Sequence, residues 1–217
     1  MVKKNENLSV FVALDRSGSM SGEKWTNAID SLNEYVKGLQ KEEISGDITI
    51  LAFDSDGMVS SDTKVRLSPL AESADIAYFK RIDPAVLYPA GGTPLYDAAG
   101  HVMNLALEKN SKRTVVVILT DGEENTSKEY TQAKIKEKVK ALEEKKWEVI
   151  FLGANFDVTT YTQNSGLAST KMRNFDLNNQ VQRTAMYSDL TASTTAYAKT
   201  GAAMNLAETI DIKKETI

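Results

Sequence analysis

An apolar run over residues 8–14 ends abruptly in Asp15-Arg16-Ser17-Gly18-Ser19. One carboxylate and two hydroxyls thus stand at alternate positions at the mouth of a strand-like segment. Two more oxygen-bearing side chains occupy comparable places, Thr93 in "GGTPLYDA" and Asp121 in "LTDGEEN". Taken singly, each has an ordinary role. Ser19 or Ser21 can cap a helix beginning near Gly22, Thr93-Pro94 suits a cap followed by a first-turn proline, and Asp121-Gly122 is a turn signal. Taken together, they form a set of hard oxygen donors. Mg²⁺ takes six oxygen ligands at about 2.0–2.1 Å and usually keeps several waters. Ser17, Ser19 and Thr93 can supply hydroxyls, while Asp15 and Asp121 supply negative charge directly or through waters. An ion held by neutral inner ligands stays electrophilic, and an open position on it attracts a carboxylate from another molecule.

Whether the five residues meet depends on the elements that carry them. Apolar runs over 8–14, 48–53, 113–120 and 147–154 are rich in Val, Ile and Phe and show little alternation, as expected of strands covered on both faces. Between them run helical stripes: Trp25, Ile29, Leu32, Val36 and Leu39; Leu95, Ala99, Val102 and Ala106; Ile135, Val139 and Leu142. Their steps of three and four residues put each set on one helix face. Strands alternating with helices predict an α/β fold with a mostly parallel sheet covered on both faces. The Asp-Gly pair at 56–57 predicts a turn, with residues 64–70 returning antiparallel at the sheet edge. Residues 169–177 read as a sixth strand and Asn179–Leu206 as a final helix. No repeat or linker interrupts the chain, which reads as one domain over 1–217, with its core at about 8–206 and a polar tail at 207–217. In such sheets ligands bind outside the carboxyl ends of the strands, where the strand order reverses. Asp15 and Asp121 both follow strands, so they are expected at that end, with Thr93 on a facing loop.

Composition narrows the function classes. With 26 basic and 30 acidic residues the net charge is −4, which lacks the basic excess of a nucleic-acid binder. The absence of cysteine excludes disulfides and cysteine-ligated metals. The polar start, "MVKKNENLSV", is not that of a signal peptide, and no apolar run reaches membrane-spanning length. The expected placement is cytoplasmic, with no membrane partner.

The set Asp15-x-Ser17-x-Ser19, Thr93 and Asp121 resembles the complete metal-ion-dependent adhesion site of von Willebrand factor A domains. The resemblance extends over about residues 8–165 in the order and spacing of elements. It implies a three-layer α/β/α sandwich holding one Mg²⁺ or Mn²⁺, and a non-enzymatic interaction module whose protein partner completes the coordination with an Asp or Glu. In relatives the residue corresponding to Thr93 can move on ligand binding. "TDGEEN" and "FLGANFDV" are most similar to small stand-alone microbial or bacteriophage members, which would place the chain in the host cytoplasm if phage-encoded.

Rival readings fare less well. "GSMSGEK" at 18–24 has the glycines and lysine of a phosphate loop, but the spacing is wrong and Trp25 stands where Ser or Thr is required. A phosphohydrolase or phosphotransferase with Asp15 as nucleophile wants an acid two residues on, where Ser17 stands. A serine hydrolase needs a base beside its nucleophile, and the sole histidine, His101, lies two turns into a helix. "DSDG" at 54–57 lacks the later acidic ligands of a calcium loop. A structural subunit whose site is filled by an assembly neighbour remains a further alternative.

Overall fold

A computed structural model of the protein describes residues 8–55, 64–154 and 171–206. Among these residues six strands are present: β1 (Leu8–Asp15), β2 (Gly46–Ser55), β3 (Val65–Asp75), β4 (Arg113–Thr120), β5 (Glu148–Ala154) and β6 (Met172–Phe175). They pair in the order β3-β2-β1-β4-β5-β6. Every pairing is parallel except β2 with β3, the expected antiparallel edge. The longer helices are α1 (Glu23–Lys41), α2 (Leu95–Lys109), α3 (Gln132–Glu144) and α4 (Gln180–Thr200).

The lack of alternation in the strands has its reason in the two cores. Val10, Val12 and Leu14 of β1 join Trp25, Ile29 and Leu32 of α1 and Met186 and Leu190 of α4 on one face. Phe11 and Ala13 of the same strand join Leu95 and Val102 of α2 and Ile135 and Val139 of α3 on the other. Both faces of the sheet are therefore buried, which makes a three-layer α/β/α sandwich. Trp25, on the apolar stripe, is core, with its indole N–H donated to the Pro84 carbonyl at 2.8 Å.

β1 lies at the centre of the sheet. The chain leaves it through α1 to β2 on one side, and later enters β4 on the other. The strand order thus reverses between β1 and β4, which opens a crevice at their carboxyl ends.

Some boundaries differ from the sequence reading: β3 runs on to Asp75 rather than 70, β6 ends at Phe175 rather than 177, and the last helix ends early. α4 stops at Thr200, not Leu206, because Gly201 adopts a left-handed φ of 75° and donates its N–H to the Tyr197 carbonyl. Glycine takes that conformation without the penalty a Cβ imposes, and ends helices for that reason. Residues 201–206 instead lie outside the helix, and Met204 and Leu206 pack into the core. The turn expected at Asp56-Gly57, residues 155–158 of "FLGANFDV", the start of the expected sixth strand at 169–170, and the tail at 207–217 lie outside the described residues. No described helix is long and apolar enough to cross a membrane.

Candidate metal centre

β1 delivers Asp15 at its last position, in register with Phe53 of β2. The side chain is fully buried. Its Oδ1 accepts the Ser17 N–H at 2.7 Å and its Oδ2 accepts the Thr120 hydroxyl at 2.6 Å. These donors are neutral, and burial pushes the carboxyl up to about 6; the Thr120 and Ser17 hydrogen bonds oppose that rise and the nearby Asp121 charge adds to it. A charged group loses hydration on burial, so its neutral form is favoured until an opposite charge or strong donors compensate.

The loop after β1 is tied at several points. Arg16 donates its N–H to the Phe53 carbonyl, Ala90 donates to the Arg16 carbonyl at 2.9 Å, and Gly18 donates to the Gly91 carbonyl at 3.0 Å. Gly91 is required there: its φ is 72°, and a Cβ would sit 2.2 Å from the Ser55 carbonyl oxygen. The strand-end loop and the Thr93 loop are thereby laced together by backbone alone.

Within this frame the hydroxyls gather. Ser17 Oγ lies 3.0 Å from Ser19 Oγ, which donates to Asp121 Oδ1 at 2.6 Å. Thr93 is buried, and its backbone is held on both sides by Asn125, whose side chain accepts the Thr93 N–H at 2.8 Å and whose own N–H is donated to the Thr93 carbonyl at 3.1 Å. The Thr93 and Ser19 hydroxyls flank Gly122, at 3.4 and 3.6 Å from where its Cβ would stand. The structure therefore brings all five sequence-identified residues to one place. The expected caps are not taken up: the N-caps of α1 and α2 are Gly22 and Pro94, neither of which caps its helix with its own side chain.

Two residues here were not assigned to this site by the sequence reading. Thr120 bridges Asp15 and the Gly122 carbonyl; its place directly before Asp121 was the available signal. Lys24, in the first turn of α1, pairs with Asp121 Oδ2 at 2.6 Å, and no local pattern announces it. Glu124, three residues after Asp121, is a staple. It accepts the N–H groups of Tyr96, Thr126 and Ser127 and the Ser127 hydroxyl, tying the loop after β4 to the start of α2. His101 pairs with Glu129 at 3.0 Å and packs edge-on against Tyr130.

Chemically, the cluster offers two carboxylates and three hydroxyls, a hard all-oxygen set. Such donors suit Mg²⁺ or Mn²⁺. Among the described residues no three Asp, Glu, His or Cys side chains converge, so any ion here would depend on the hydroxyls. Asp15, buried with neutral partners only, is the group whose charge such an ion would compensate.

A model of the von Willebrand factor type A domain family matches residues 9–181. The chain belongs to that family. Solved structures agree at the level of fold. The vWF domain of the type V pili tip protein Mfa5 from Porphyromonas gingivalis has a TM-score of 0.62 at 10% identity, with 95% of this chain and 99% of that one covered. The pilus adhesin SpaC from Lactobacillus rhamnosus GG gives 0.64 at 13% identity over 88% of this chain. The manganese-loaded TRAP protein of Plasmodium vivax gives 0.52 at 16% identity, with 82% and 72% covered. This vWA chain spans only 31% of SpaC and 47% of the mussel byssus protein PTMP1. No curated protein sequence matches it.

Proposed function

We propose that this vWA domain is a metal-dependent protein-interaction module. In this reading Asp15, Ser17, Ser19, Thr93 and Asp121 hold one Mg²⁺ or Mn²⁺, and a partner protein completes the coordination with an Asp or Glu. The observation that carries it is the convergence of the two serine hydroxyls, Asp121 and the Thr93 hydroxyl around Gly122, beside the buried Asp15. That the Plasmodium vivax TRAP structure is manganese-loaded, and that several neighbours of similar fold are pilus proteins, supports both halves of the proposal.

The ion would supply an electrophilic position for a partner's carboxylate; the chain's residues hold and orient it. The Ser19 proton is donated to Asp121 and the Ser17 hydroxyl lies 3.0 Å away as its donor, which leaves one lone pair of the Ser19 hydroxyl for a cation. Asp15 is fully buried with both oxygens hydrogen-bonded, an arrangement that suits a charge-compensating group rather than a nucleophile, which must reach its substrate.

Melting the protein in Mg²⁺ and in EDTA, for the parent and for Asp15→Ala, tests the metal. The parent melts higher in Mg²⁺ and the variant responds little. A pull-down run in parallel with Mg²⁺ and with EDTA tests the partner, which is retained only with metal. A parent indifferent to Mg²⁺ would remove the reading.

A further inference from the structure

Asp121 is the member of the site with a cation already attached. Its side chain is fully buried, and its two oxygens are divided between Ser19 Oγ at 2.6 Å and the Lys24 ammonium at 2.6 Å. The Lys24 side chain is 26% exposed, so the pair is shielded but not sealed. Lys24 reaches Asp121 from the first turn of α1, across from the end of β4. Asp15 has no such partner; its oxygens take a hydroxyl and a backbone N–H.

We propose that Lys24 is the site's built-in competing cation: it balances Asp121 before a metal ion arrives, and thereby sets how much metal the site needs. The inference rests on the metal-centre reading above. Two physical effects act in the same direction. A divalent ion near Asp121 must either displace the ammonium, losing a short charge-assisted hydrogen bond, or bind beside it against like-charge repulsion. In both cases part of Asp121's attraction is already spent on Lys24. A fixed positive charge within a few ångströms of a partly shielded divalent site opposes binding by about tenfold or more.

Lys24 also has a role without metal, since removing it leaves a buried carboxylate without its cation. That double role gives a test a merely structural lysine fails. Lys24→Met keeps the aliphatic stem and removes the charge; Lys24→Gln keeps a donor. Each is melted with the parent in EDTA and across a MgCl₂ titration, with Asp15→Ala as the control for metal binding. In EDTA both variants melt below the parent. As Mg²⁺ rises the gap narrows or reverses, and the Mg²⁺ concentration giving half of the full shift is about tenfold lower in Lys24→Met than in the parent. If the gap is the same in EDTA and in saturating Mg²⁺, Lys24 is structural only and the inference is overturned while the metal reading stands. If the parent itself shows no Mg²⁺ response beyond that of Asp15→Ala, the metal reading has failed first.

Discussion

Two fully buried carboxylates sit at the ends of adjacent strands, and they are satisfied in opposite ways. Asp54, on β2, is closed by arginines: Arg16 Nη2 lies 2.5 Å from Oδ2, and Arg66 donates to both oxygens at 2.7 and 2.9 Å. Asp15, on β1, is held by the neutral Thr120 hydroxyl and Ser17 N–H. Arg16 follows Asp15 directly in sequence, yet its charge goes to Asp54. The fold thus supplies full countercharge to one carboxylate and withholds it from its neighbour. A buried charge is tolerated when paired, so Asp54 reads as part of the scaffold, bracing the β2–β3 edge against the site loop. Asp15 is the carboxylate the fold leaves with neutral partners, the one whose charge the proposed ion would compensate.

Breaking each carboxylate separates the two roles. Asp54→Ala leaves the buried Arg16 guanidinium without its partner and should cost about 3–5 kcal/mol. Urea denaturation should give the same loss in Mg²⁺ and in EDTA. Asp15→Asn should do the reverse. In EDTA at pH 7 it removes a destabilised charge, so the variant should gain roughly 2–3 kcal/mol over the parent, from a carboxyl raised from 3.8 to about 6. In Mg²⁺ that advantage should vanish, because the variant no longer holds the ion.

The pH dependence sharpens the same contrast. With its folded value above its unfolded one, Asp15 binds more protons in the native state between pH 3.8 and about 6. Its contribution to stability in EDTA is therefore fully present below pH 3.8 and is lost as pH rises through about 6. Subtracting the Asp15→Asn profile from the parent's should isolate that fall. Metal affinity should run the other way and rise through the same window, since the ligand must shed its proton. The smallest expected effect belongs to Thr120→Val. Loss of its hydrogen bond should cost about 1 kcal/mol in Mg²⁺ and move the Asp15 titration further upward, readable in the same pH profiles.

The sheet was legible because its strands are apolar on both faces and its helices carry stripes with steps of three and four. The meeting of Asp15, Ser17, Ser19, Thr93 and Asp121 was legible because strand ends in a parallel sheet point to one crevice, so a motif after β1 and another after β4 had to meet. The charge network was not legible. Asp54 pairs with residues 38 and 12 positions away, and nothing local in "DSDG" distinguishes a salt-bridge hub from a turn. Lys24 looked like a misplaced phosphate-loop lysine because its partner, 97 residues distant, becomes adjacent only when α1 folds back over β4. Nor does anything local mark Glu124, since its partners are mostly backbone N–H groups, which nearly every residue carries. The end of α4, by contrast, was marked in the sequence by Gly201, and the apolar pattern of Met204 and Leu206 hid it.

The central claim is that one divalent ion binds at Asp15, Ser17, Ser19, Thr93 and Asp121. Titrating the chelator-treated protein with Mn²⁺ while following the free-ion EPR signal tests it most directly. One ion bound per chain, displaced by excess Mg²⁺ and lost in both Asp15→Ala and Thr93→Ala, is the result predicted here. Binding that survives both substitutions, or no binding by the parent, would contradict it.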